Sequence, residues 1–208
     1  MKTQLLTTVC ATVLLLLVAT PSVAEDEQAA HFASSVELET KGKYQDALDA
    51  LLKVTDQRKN SYMYQLRKGW LLYLLGKFDD SIAAYKQAIA KDRGSLEAKL
   101  GIIPPQLAAR KWVDAERSAL AVLKLDPKNY LGLSRLAYAY YNLTRYSDAE
   151  KAYKKVVDLY PGDVDMRSGY AWAQFKQGKY EAAKKEFKHI LRFAPKHSAS
   201  LQGIGLCP

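Results

Sequence analysis

The chain has 208 residues, of which 49% are hydrophobic and 25% charged, and a formal net charge of +9. That balance belongs to a globular protein and excludes a disordered or fibrous chain, while two cysteines are too few for a disulfide-built scaffold. The excess of cations bears on solubility and on association with acidic polymers or lipid headgroups, without marking a site.

The first 24 residues stand apart from the rest. Lys2 is their only charge, residues 5–18 form an apolar run interrupted by Thr7, Thr8, Cys10 and Thr12, and Ser22, Val23 and Ala24 offer small residues for cleavage. This reads as a secretory signal peptide rather than a retained anchor, because the run is shorter than the about 20 apolar residues a spanning helix needs. Cleavage after Ala24 leaves a periplasmic or secreted chain that begins at Glu25, has no further segment able to cross a bilayer, and keeps Cys207 as its only cysteine, so an internal disulfide is excluded.

From residue 28 onward the sequence predicts helices in pairs. In 28–61, Phe32, Val36 and Leu38 mark the inward face of a first helix, Gly42 a turn, and Tyr44 the start of a second helix reaching about Gln57. The turn position recurs every 34 residues at Gly76, Arg110, Thr144 and Gly178, which defines further units over 62–95, 96–129, 130–163 and 164–197. An aromatic follows each turn by two residues (Tyr44, Phe78, Trp112, Tyr146, Tyr180) and a small residue by five (Ala47, Ser81, Ala115, Ala149, Ala183). Nine residues after the turn come Leu51, Tyr85, Tyr153 and Phe187, with Ala119 the exception. The small column lets two helices approach closely, and the bulky residue four later lies on the same face. Ser61, Ser95, Asn129 and Asp163 recur at the same interval ahead of the first helices, where their side chains accept orphan N–H groups. The second unit carries the most aromatic first helix. The third departs most, because Pro104 and Pro105 fall inside its first helix, where a proline costs about 3 kcal/mol or more, so the helix must kink or restart. Only 198–208 follows the fifth unit, which leaves a short cover for its apolar edge and makes that edge a candidate for homo-oligomeric pairing, with Cys207 available for an intermolecular bond.

Period and pattern together resemble the tetratricopeptide repeat, a unit of two antiparallel helices. The resemblance implies an all-α solenoid of about five helix-turn-helix repeats in a superhelical array, whose first helices line a concave groove that takes extended peptides or partner helices. Carried onto this chain, the groove column is Val36, Trp70, Pro104, Tyr138 and Trp172. Beside it lie Tyr73, Leu107, Tyr141 and Phe175 on one flank and Phe32 and Leu66 on the other, with Asn142, Arg167 and Lys176 as polar clamps.

Chemistry is sparse. The histidines His31, His189 and His197 have no partner at metal-ligand spacing, and no metalloprotease, phosphate-loop or nucleophile-elbow motif occurs, so no enzyme, metal or cofactor is expected. Lys151, Lys154, Lys155, Lys184, Lys185 and Lys188 gather on the second helices of units four and five, most simply as a solvated face. They lack the interleaved aromatics of a single-strand binder, and nucleic acid is not an expected partner. The sequence therefore predicts a non-catalytic interaction module or scaffold that binds a protein or peptide in its aromatic groove. The alternative is a carbohydrate or envelope-polymer binder in which Trp70, Tyr138 and Trp172 stack on sugar faces, with Glu39 and Gln174 as polar partners.

Overall fold

A computed structural model describes residues 23–54 and 59–208. All but the last two residues of the expected signal peptide lie outside the described residues, and so does the expected end of the first unit's second helix at Gln57. The described part of that helix, α2 (Tyr44–Leu52), follows α1 (Val23–Thr40). Next come α3 (Tyr62–Leu74) and α4 (Phe78–Lys91), then α5 (Leu96–Gly101), α6 (Ile103–Ala108) and α7 (Trp112–Leu125). The chain continues as α8 (Tyr130–Asn142), α9 (Tyr146–Leu159), α10 (Val164–Lys176), α11 (Tyr180–Phe193) and α12 (Ser198–Leu206). Among the described residues no helix is long and apolar enough to cross a membrane.

The recurring polar residues cap the first helices. Ser61, Ser95, Asn129 and Asp163 accept from the backbone N–H of Tyr64, Ala98, Gly132 and Met166 at 3.2, 3.0, 2.9 and 3.0 Å. One interval further on, His197 Nδ1 accepts from Ser200 N–H at 3.2 Å, so α12 is a capped first helix in its own right. Between helices of a pair the chain turns through the left-handed region at Gly42, Gly76, Arg110, Thr144 and Gly178, with φ from 56° to 77°. Glycine enters that region freely, whereas Arg110 and Thr144 hold it at a cost.

The first helices of the second to fifth units each pack between the second helix of their own unit and that of the preceding unit. The small column is fully buried throughout: Ala47, Ser81, Ala115, Ala149 and Ala183. The bulky column explains which residues face it in the next unit. A methyl group at Gly101, Gly169 or Gly203 would lie 2.3–2.5 Å from the ring of Tyr85, Tyr153 or Phe187, so each ring occupies the space where a side chain would stand. Where the ring is missing, at Ala119, the facing position holds Arg135 instead, and Leu51 likewise faces Arg67.

The proline pair in the third unit restarts the helix. α5 ends at Gly101, Ile102 joins the two segments, and Pro104 and Pro105 fall in the first turn of α6, where a missing N–H costs least. Pro104 cannot supply the amide that would close on the Leu100 carbonyl; that carbonyl accepts Nη1 of Arg135 from the next unit at 2.8 Å.

The C-terminal edge is covered by one short helix. α12 seats Gly203, Ile204 and Cys207 against Ala183 and a fully buried Phe187, because 198–206 folds as a sixth first helix. The apolar surface that stays open lies further out, at Phe193 (75% exposed) and at Leu201 and Leu206.

Candidate functional site

The predicted groove residues lie along the first helices, and the structure divides them by what they touch. Val36, Trp70 and Tyr138 are open, at 42%, 39% and 47% exposure. Tyr73, Tyr141 and Phe175 are half-buried and close the hairpin corners, packing on the aromatic five residues later: Phe78 at 6.2 Å, Tyr146 at 5.3 Å and Tyr180 at 5.2 Å between ring centres. Trp172 packs edge-on against Phe187 at 5.4 Å and Phe175 at 5.3 Å, so it serves the core more than the groove. Leu66 is buried in the central cluster, and Leu107 is half-buried against that cluster. Pro104 is half-buried at the helix restart. Asn142 spends its amide N–H on the Tyr138 carbonyl at 2.8 Å.

Tyr138 opens in the fourth unit, while the part of the open inner face with Val36 and Trp70 lies in the first three. There a hollow of about 500 Å³ lies between α1, α3 and α5. Phe32, Val36, Met63, Leu66 and Trp70 give it apolar walls, Arg67 and Glu97 stand at its sides, and Tyr85 from α4 reaches its floor. Some of its polar groups meet one another, while Arg67 Nη2 is buried without a hydrogen-bond partner and Glu97 has no ion pair among the described residues. Glu39 accepts Trp70 Nε1–H at 2.6 Å and pairs with Arg67 at 2.9 Å; Arg67 also donates to Ser35 Oγ at 2.8 Å and lies over the Phe32 ring. What remains is a wettable apolar surface with one side chain, Trp70, pinned in place by its own hydrogen bond. Such a surface favours a complementary apolar group.

The polar residues named for the sugar alternative are used elsewhere. Glu39 is held as above, and Gln174 is buried with its amide N–H directed to Glu150 at 3.3 Å. Arg167, named as a clamp, pairs with Glu186 at 2.7 Å and donates to the Pro161 carbonyl. Lys176 is exposed. On the lysine-bearing outer face, Lys154 pairs with Asp158 at 2.8 Å and Lys151 stands 4.0 Å from Asp148. Among the described residues no group of three or more His, Cys, Asp or Glu side chains could hold a metal ion.

Met63, Arg67, Tyr85 and Glu97 belong to the hollow and were not among the groove residues read from the sequence. A signal for two of them was present: the ring at Tyr85 with glycine at Gly101, and the leucine at Leu51 with Arg67, are alternatives of one pairing sixteen residues apart. A second missed column is basic. Lys111, Arg145 and Lys179 each begin a second helix and reach back to the preceding unit, to Asp79 at 2.6 Å, Glu116 at 2.8 Å and Glu150 at 2.6 Å.

Comparison with known proteins agrees with this architecture. No curated protein matches the chain in sequence. Among solved structures, a MamA protein superposes with a TM-score of 0.75 at 21% identity over 80% of this chain and 91% of its own. MamA from Desulfovibrio magneticus gives 0.78 at 17% identity over 83% and 98% of the two chains. A tetratricopeptide repeat protein from Parabacteroides merdae gives 0.78 at 16% identity over 86% and 71%. At these identities the likeness is one of fold. One tetratricopeptide repeat profile matches residues 34–95 and 106–164, more than half of the chain, and a second matches 144–204. The paired helices, their 34-residue interval and these matches together place the chain in the tetratricopeptide repeat family.

Proposed function

We propose that the protein is a non-catalytic interaction module that binds a peptide or partner protein on the inner face of its first helices, at the hollow between α1, α3 and α5. The observation that carries this reading is the open apolar wall around Trp70, Val36 and Met63, beside which Glu39 holds Arg67 in an ion pair. Interfaces draw most of their affinity from a few such desolvated aromatic anchors. Residues 1–24 add the proposal that it works in the periplasm or outside the cell.

The test uses protein recovered from the exported fraction, where intact mass should correspond to a chain starting at Glu25; full-length protein held in the membrane would remove the export proposal. Trp70→Ala should weaken capture of the partner by about thirtyfold, the equivalent of about 2 kcal/mol, while leaving melting close to wild type. Trp172→Ala should do the reverse, because its ring packs on Phe187. Undiminished capture by folded Trp70→Ala would sink the groove reading.

A further inference from the structure

Tyr85 is the most deeply set residue of the hollow, at 3% exposure. Its ring passes between two first helices: methyl groups at Gly69 and Gly101 would lie 2.8 Å from Cδ2 and 2.3 Å from Cε1. The hydroxyl makes no hydrogen bond among the described residues, its oxygen is not among the fully enclosed polar atoms, and Tyr85 lines the hollow. A buried phenol with an unused O–H costs stability unless something completes it. Burial and then the nearby Glu97 charge push its pKa well above the ordinary phenol range, so it stays a donor at any physiological pH.

Charge narrows the occupant further. Arg67 is neutralised by Glu39 at 2.9 Å, whereas Glu97, exposed on the opposite side of the hollow, has no cation within ion-pair distance among the described residues and receives only a 3.3 Å hydrogen bond from Tyr62. The site thus offers an apolar cavity, a donor at its floor and an uncompensated carboxylate at its rim.

Resting on the groove reading above, we infer that the hollow takes an extended peptide segment with one bulky apolar side chain and an adjacent lysine or arginine, the Tyr85 hydroxyl donating to a main-chain carbonyl of that segment while Glu97 meets its cation. The cavity is large enough for an aromatic or leucyl side chain, and an acidic neighbour would be repelled by Glu97.

The probe is a displayed pool of random eight-residue peptides, selected on the mature protein and then synthesised with a fluorescent label. The selected sequences should carry a bulky apolar residue with Lys or Arg within two positions. Tyr85→Phe keeps the ring between its glycines, so melting should not fall, and it should weaken the labelled peptides about threefold to tenfold, as loss of one hydrogen bond requires. Glu97→Gln should weaken Lys- or Arg-bearing peptides and leave their alanine-substituted versions unchanged. Acid-flanked binders, or binders that lose affinity with Trp70→Ala but are insensitive to Tyr85→Phe or to Glu97→Gln, would overturn this inference and leave the groove reading standing. Failure of any peptide to be selected would overturn both.

Discussion

Two glycines in one helix show how strongly single positions are constrained. Gly203 faces Phe187, and an added methyl would lie 2.3 Å from Cε2 of a fully buried ring, whereas Gly205, two residues on, has nothing within 4 Å. Overpacking of this kind costs about 1–3 kcal/mol, while glycine to alanine in an open helix position gains about 0.5–1 kcal/mol. Gly203→Ala should therefore lower the melting temperature and Gly205→Ala raise it, both read by thermal denaturation; equal shifts would mean that α12 does not bear on Phe187. The same logic governs Arg67 and Arg135, which occupy the glycine column where the facing residue is Leu51 or Ala119 and no ring intrudes. Burial pulls the Arg135 guanidinium below its ordinary value without discharging it, and it is held by the Leu100 carbonyl.

At the scale of the element, the interrupted first helix of unit three is one half of a device completed by the next unit. Pro104 withdraws an amide from Leu100 and Arg135 replaces it. Arg135→Met should cost about 1.5–3 kcal/mol, the range for a hydrogen bond made by a charged group. In a Pro104→Ala background the new N–H can close on the same carbonyl, so the cost of Arg135→Met should shrink. A double-mutant cycle by urea denaturation measures the coupling, expected at about 0.5–3 kcal/mol; strict additivity would show that the two features are unrelated. Pro105 is itself fully buried, so removing both prolines would also open packing.

Across the whole array, stability passes from unit to unit through faces and ion pairs, as in any solenoid. Glu150 is the best-supported joint, accepting Lys179 at 2.6 Å, Gln177 at 2.8 Å and Gln174 at 3.3 Å. Burial pulls its carboxyl up, but the hydrogen bonds from Lys179, Gln177 and Gln174 and the Lys179 charge outweigh it and hold the group below the usual carboxylate range. A depressed value means that the contribution is fully present above the unfolded pKa of about 4.3 and is lost as the pH falls through the folded value. Glu150→Gln should accordingly melt below wild type near neutral pH, with the gap closing below about pH 4. Parallel melting curves from pH 7 down to pH 3 would show that Glu150 does not couple units four and five.

The interval of 34 residues, the polar caps and the small-residue column determined the paired helices, because each is a local demand repeated in phase: a cap serves its own helix, and a small residue admits its neighbour. The break at Pro104 was legible for the same reason, since proline acts on its own helix. The inner face was legible as a set of positions but not as a site. Tyr73, Tyr141, Phe175 and Trp172 share the spacing of Trp70, yet they are taken up by the hairpin aromatics and by Phe187, contacts that depend on how far each ring leans toward a neighbouring element. The hollow at α1, α3 and α5 arises from residues of separate units, with Tyr85 entering from a second helix through the gap left by Gly101. Periodicity assigns a residue to a face; only the packing of successive units decides which side chains fill that face and which remain open to a partner.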